Sequence, residues 1–338
     1  MVTIKDVAHK AGVNPSTVSR VLKDHQSISL KTKEKVRKAM RELGYVPNVA
    51  AQMLASGLTY NIGLVFPPLL TPDRLSDPFF MQILSTITNE AKNNDFTVSI
   101  ATGMTIGDLE EQVALMHRQK RVDGFIILYS EQDDPIKQYL LTNQIPFVIV
   151  GAPEGFENQI TYIDNDNQLM ARTAVEFLYN KGHKKVLFLT DDLQSEISSE
   201  RYIGYLKGIM KLSLPSHSPL LFDRKKPETA ENLIESIRHF QATALIVIGD
   251  VLALRVIQLL SYYGFKVPDD LSIITFNNSV YGKLIHPYLT TFDININSLG
   301  SISFKRLLAI IRNPNLELSE KIIVPFTFKE RESVRNLR

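Results

Sequence analysis

The chain has 338 residues, 44% of them apolar, with no cysteine and a formal charge of +2 from 38 basic and 36 acidic residues. That length allows more than one domain, and the absence of cysteine excludes disulfides and thiolate metal sites and fits a reducing compartment. No run approaches the roughly 18 apolar residues of a membrane span, and Met1–Val13 alternates polar and apolar residues too quickly for a secretory leader, so a cytoplasmic location is expected.

The charge is unevenly placed. Residues 1–60 carry ten Lys/Arg against four acids, a local +6, and the remainder carries 28 bases against 32 acids. A basic head on a mildly acidic body points to a polyanion partner for the head alone, although a solvated surface would give the same count.

Ile4, Val7, Ala8 and Ala11 repeat at i, i+3, i+4 and i+7, the apolar stripe of a two-turn helix. Thr3 is placed to cap it and Gly12 to end it. Asn14-Pro15 then reads as a second helix start, with Val18, Val21 and Leu22 as the buried face. Two short helices joined by a Gly-containing turn make a helix-turn-helix. Ser16, Thr17, Ser19 and Arg20, with Pro15 at the helix start, turn away from that core. Small hydroxyls near a helix start, with an arginine one turn later, suit base edges and phosphates in a major groove; an ordinary polar face is the plain alternative. A third helix is expected after Ser29, with Val36, Met40 and Leu43 on its apolar side.

The ordered series Thr3-Ile-Lys-Asp-Val-Ala8, Ala11-Gly-Val13, Ser16-Thr-Val-Ser-Arg-Val21 and Leu43-Gly-Tyr-Val-Pro-Asn48 resembles the head of the LacI/GalR family of bacterial repressors. The resemblance implies a DNA-binding transcriptional repressor acting as a homodimer on a near-palindromic double-stranded operator. It also implies that residues 47–60 form a hinge helix that inserts Leu54 into the minor groove, with Asn48, Ala51 and Ala55 beside it. From the residues alone, this stretch is a short helix-former that would be marginal in isolation, or a plain linker.

From Asn61 the pattern changes. Apolar runs at Ile62–Phe66, Thr97–Ala101, Gly124–Tyr129 and Phe147–Gly151 alternate with amphipathic stretches such as Phe79–Asn93 and Leu109–Lys120. The alternation resumes with Val186–Thr190, Ala244–Gly249 and Leu271–Phe276. Runs of this kind imply parallel sheets covered on both faces, here in two successive sets. The expected fold is an all-α helix-turn-helix head (1–46), a hinge (47–60) and a two-lobed α/β body (61–338) similar to periplasmic binding proteins. The lobes comprise about 61–162 with 292–323 and about 163–291 with 324–338, the chain crossing near Tyr162, Thr291 and Val324.

Ligands of open α/β sheets bind beyond the carboxyl ends of the strands. Candidates there are Phe79, Phe80, Tyr129, Asp164, Arg201, Asp250 and Asn277. The resemblance implies that Arg201, in Glu200-Arg-Tyr-Ile-Gly204, hydrogen-bonds the effector and that the Phe79–Phe80 pair flanks it. Aromatic faces with a few planar polar groups suit a sugar. Structural roles stay open: Phe80 as helix core, Asp164 as a cap for the helix after it, Asp250 as the cap of Val251–Tyr263. Thr275-Phe-Asn-Asn278 departs from the family's Gly-Tyr/Phe-Asp by replacing a carboxylate with an amide, which can still read an uncharged polyol. That asparagine pair resembles the maltose-operon branch of the family in Gram-positive bacteria, which implies maltose or a maltodextrin as effector.

No Walker loop, GxSxG, HExxH or GxGxxG opening a helix is found, and seven histidines lie scattered without metal-ligand spacing. No enzyme activity, metal or cofactor is expected. A sugar-transport binding protein would share the body but not the head. A second regulatory reading is a global carbon-catabolite regulator with a phosphocarrier protein as corepressor, since Arg306-Leu-Leu308 resembles the helix such a partner touches; a routine amphipathic helix explains the triplet equally.

Overall fold

The computed structural model describes residues 2–22, 25–46, 53, 56–69, 77–131, 133–314 and 319–338. The chain divides into two compact units, Met1–Thr59 and Tyr60–Arg338.

Among its described residues the first unit has the helices α1 (Ile4–Ala11), α2 (Pro15–Leu22) and α3 (Leu30–Leu43). Thr3 and Asp6 form a reciprocal capping box on α1: the Asp6 amide donates to the Thr3 hydroxyl and the Thr3 amide donates to the Asp6 carboxylate. Gly12 follows in the left-handed conformation, φ 57°, which only glycine adopts without steric cost and which turns the chain towards α2. The Asn14 carbonyl receives the first α2 bonds from Thr17 and Val18, and the Ser29 hydroxyl caps α3 by accepting from Thr32. Val7, Ala8, Ala11, Val18, Val21, Val36 and Ala39 form the buried core. Small residues dominate it because three short helices enclose little volume.

The second unit contains two six-stranded sheets. The first is built from β1 (Asn61–Val65), β2 (Thr97–Ala101), β3 (Phe125–Ile127), β4 (Phe147–Val150), β5 (Tyr162–Asp164) and β11 (Lys321–Ile323), in the order β11-β5-β4-β3-β1-β2, all parallel. The second comprises β6 (Val186–Thr190), β7 (Leu220–Leu221), β8 (Ala244–Val247), β9 (Ser272–Phe276), β10 (Thr290–Asp293) and β12 (Thr327–Lys329), in the order β12-β10-β9-β8-β6-β7. Its strands are parallel except β12, which returns antiparallel to β10. The central strands are fully buried, as continuous apolar runs covered on both faces require.

Among the described residues the helices of this unit are α4 (Pro78–Asn93), α5 (Ile106–Arg118), α6 (Pro135–Thr142), α7 (Asn167–Asn180), α8 (Glu196–Lys211), α9 (Pro227–Phe240), α10 (Asp250–Tyr262) and α11 (Ile296–Arg312). Asp77-Pro78 and Asp134-Pro135 start α4 and α6 in the same way: the carboxylate accepts an amide two residues on, and proline takes the first helical position. The chain passes from the first sheet to the second after Asp164, back between Asp293 and Ile296, and over again between Ile323 and Thr327. Asn165 pins these crossings together, its amide donating to the carbonyls of Ile294 (3.1 Å) and Val324 (2.8 Å).

Helices α7 and α8 lie in close contact. A Cβ on Gly204 would stand 2.2 Å from the Gln168 carbonyl oxygen, and one on Gly208 would stand 2.8 Å from Val175. Glycine at these two positions is what lets α8 approach α7 to this distance.

Candidate functional site

In the first unit, α2 leaves Pro15, Ser16 and Arg20 exposed, while Thr17 and Ser19 are half-buried. Val18 and Val21 point the other way, into the core, so helical periodicity fixes which face is free. Ser16 and Arg20 sit one turn apart on that face. Lys10 of α1 and Glu42 of α3 pair at 2.8 Å and tie the two flanking helices together. Asn48, Ala51, Leu54 and Ala55 lie outside the described residues. In the same stretch the Gly57 amide donates to the Met53 carbonyl at 2.8 Å, a helical i to i−4 bond.

In the second unit, the strand ends converge on Arg201. This side chain is only 5% exposed, an uncommon state for a guanidinium. It comes from the second turn of α8, where Gly204, one turn on, brings the helix against α7. Its Nε donates to Asn167 Oδ1 at 2.9 Å and its Nη1 to the Ile248 carbonyl at 2.6 Å, and the guanidinium lies 4.1 Å from the Phe276 ring centroid. Burial lowers its pKa to about 10, against the opposing pull of Asp164 and Asp250.

Those two carboxylates belong to different lobes. Asp164, at the end of β5, accepts amide protons from Asn165 (2.7 Å) and Ala152 (3.1 Å) and from the Asn167 side chain. It does not cap α7; Asp166 does, by accepting from Leu169. Asp250 opens α10, with Gly249 in the cap position, and accepts the Ser279 amide at 2.5 Å. Its Oδ1 is buried without a hydrogen-bond partner. Burial pushes both carboxyls up to about 6, partly opposed by these hydrogen bonds. Asp77, on the first lobe, adds slightly to the upward push on Asp250.

The other candidates divide. Phe80 packs on Phe66 (5.4 Å between centroids) and Phe79 stands edge-on to Phe80 (5.3 Å). Both remain half-buried just after Asp77. Asn277 takes a left-handed backbone (φ 86°) and brings its amide beside Gly249, next to Asp250. Asn278 is tied elsewhere: its amide donates to Asp293 at 2.9 Å and its carbonyl accepts from Arg331. Tyr129 does not join the Arg201 cluster. It lies in the first-lobe core with Phe125 and Ile127, and its hydroxyl faces Asp134.

Asn167, Phe276 and Ser279 complete the surroundings of Arg201 and Asp250, and none was a candidate in the sequence. Asn167 and Phe276 had the outward signs of a helix-start residue and a strand residue; only the tertiary fold brings them to Arg201.

Together, the cluster offers two largely buried carboxylates, a buried guanidinium, an amide and aromatic rings. That is a set of acceptors, donors and apolar faces for a small polar ligand. Among the described residues no group of three or more His, Asp or Glu is arranged to hold a metal, and no helix is long and apolar enough to cross a membrane.

Residues 3–48 match the family model described as bacterial regulatory proteins, lacI family, and residues 159–334 match that of the periplasmic binding protein-like domain. The HTH-type transcriptional regulator MalR of Staphylococcus xylosus is 33% identical over 341 residues, covering 100% of this chain and 99% of that protein. The solved structure of a probable maltose operon transcriptional repressor malR, from another staphylococcus, superposes with a TM-score of 0.75 at 27% identity, over 82% of this chain and 99% of that one. The lac repressor dimer bound to operator and an anti-inducer gives a TM-score of 0.75 at 25% identity, over 99% of both chains. The head, the two-sheet body and these matches along the whole length make this chain a member of the LacI family of bacterial transcriptional regulators.

Proposed function

We propose that the protein is a cytoplasmic, homodimeric repressor, without enzymatic activity, whose hold on a near-palindromic operator is relieved by maltose or a maltodextrin bound between the lobes. In this reading residues 1–46 are the DNA-binding head, 47–60 the hinge and 61–338 the effector-binding and dimerising body. Pro15, Ser16, Thr17, Ser19 and Arg20 face the major groove. Leu54 enters the minor groove as an apolar wedge, with Asn48, Ala51 and Ala55 beside it, exchanging base stacking for a bent site.

The observation that carries the effector half is the buried Arg201, held at Nε and Nη1, with a carboxylate from each lobe close by. Hydroxyls of a sugar can accept from its free N–H groups and donate to Asp164 and Asp250. Phe79 offers a ring face, and Asn277 an amide suited to a neutral ligand. Maltose is favoured by the Asn277-Asn278 pair and by similarity to a maltose operon repressor. Because Asp164 and Asp250 stand on opposite lobes, a ligand touching both binds one lobe arrangement better than another, which coupling to DNA requires.

A mobility-shift assay on an operator from the protein's own genomic neighbourhood, with and without maltose, tests the reading. Loss of the complex on adding maltose supports it; a complex indifferent to a bound sugar refutes it. The phosphocarrier reading gains little from Arg306-Leu-Leu308. Leu307 and Leu308 are buried in the first lobe, and Arg306 pairs with Glu320 at 3.1 Å, the behaviour of an ordinary amphipathic helix.

A further inference from the structure

The segments that follow β3 and β4 hold a concavity. It has a volume of about 280 Å³ and is walled by Asp133, Asp134, Lys137, Gln138, Glu154 and Phe156. Small-molecule sites run from about 300 to 1,000 Å³, so this one has room for about one ring.

Its walls are held in place. Lys137 is 2% exposed, and its Nζ donates to the carbonyls of Glu131 (2.7 Å) and Glu154 (3.1 Å), which ties the loop after β3 to the loop after β4. Asp134 is 3% exposed; one carboxylate oxygen accepts the Ile136 amide, and the carboxylate is turned to the Tyr129 hydroxyl. Phe156 is exposed and held at φ 61° in the loop after β4.

The concavity also adjoins the cleft. The Ala152 amide donates to Asp164, and Glu154 follows two residues later, a span of at most about 7 Å of backbone. From the other lobe, Glu196 at the start of α8 is close enough to feel the charges of Glu154 and Lys137.

We infer that this concavity is an extension subsite, which takes a third glucosyl unit of a linear oligosaccharide whose first units lie against Arg201. Carboxylates accept from the ring hydroxyls, the Gln138 amide donates, and Phe156 covers an apolar C–H face. The inference rests on the maltodextrin reading and deepens it: the effector is read for length as well as identity.

Calorimetric titration of the full-length protein with maltose, maltotriose and maltotetraose tests it, using the native chain, Phe156→Ala and Gln138→Ala. Maltotriose is expected to bind the native protein about tenfold more tightly than maltose, about 1.4 kcal/mol. Phe156→Ala should remove most of that gain and leave maltose affinity within about twofold, and the exposed Gln138→Ala should remove part of it. Equal affinity for maltose and maltotriose in the native protein overturns the subsite while leaving the maltose reading intact. So does an equal loss for both sugars in the Gln138 and Phe156 variants. Failure of every glucoside, maltose included, to bind would remove the maltodextrin reading itself and the subsite's occupant with it.

Discussion

Arg201 lies with its guanidinium 4.1 Å from the centre of the Phe276 ring, sandwiching the end of β9 against α8 while its Nη1 reaches the Ile248 carbonyl. A flat cation over an aromatic face is held in one orientation, with its N–H groups fixed in its own plane above the ring. Lysine keeps the charge but has neither the plane nor the fork. Arg201→Lys is therefore expected to weaken sugar binding by about tenfold or more, since hydrogen bonds to charged groups are worth about 1.5–3 kcal/mol. Operator binding without sugar should survive, giving a repressor that no longer responds. Calorimetry paired with a mobility shift reads both halves.

The reach of Arg201 depends on Gly204. Gly204→Ala places a methyl 2.2 Å from the Gln168 carbonyl, which no rotamer can relieve, so α8 must back away from α7. Overpacking of this kind costs about 1–3 kcal/mol, and here it should also draw Arg201 off Asn167. Gly107, in the first turn of α5, is the control: its nearest neighbour would be 3.9 Å away, so Gly107→Ala should be neutral or slightly stabilising. Urea denaturation separates the two.

Much of this was legible in the sequence, for identifiable reasons. The strands announced themselves as apolar runs because they are covered on both faces, and Gly12 marked a helix end because the turn there needs a positive φ. Tyr129 is a different case. Phe125, Ile127 and Tyr129 lie two apart, so the pleat sends all three to one side of the first sheet, into the core under α5 and α6. That alternation is visible in the sequence and sets the Tyr129 ring in the core, apart from the Arg201 cluster. The partners of Arg201 were not visible at all. Asn167, Ile248 and Phe276 come from three segments whose meeting depends on the crossings pinned by Asn165.

The raised carboxyls set a pH dependence. Asp164 and Asp250 ionise near 6 in the folded protein and near 3.8 when unfolded. The folded chain thus holds protons that the unfolded chain releases, and this stabilisation is fully present below about pH 4 and lost as pH rises through about 6. A shift of this size is worth about 3 kcal/mol per residue. Asp164→Asn cannot titrate, so its stability should fall less than the native protein's between about pH 4.5 and pH 7.5, as measured by urea denaturation at each pH. An identical slope for both proteins would show that Asp164 is not held up.

On the head, Arg20 is exposed and one turn from Ser16, on the face opposite Val18 and Val21. Arg20→Ala should therefore leave the folding of the three-helix unit within about 0.5 kcal/mol of the native value. Operator affinity should fall by about 1–3 kcal/mol if the arginine reads a base edge, with relaxed preference at that position. A uniform loss across sequences, with a salt slope smaller by about one, would place it on a phosphate instead.

The central claim is that one chain joins DNA reading to sugar binding. Footprinting on the protein's own genomic neighbourhood, with and without maltose, tests it most directly. Two protected half-sites about one helical turn apart, fading as maltose is added, are the expected result. Protection that persists at maltose concentrations shown by calorimetry to saturate the cleft would contradict it.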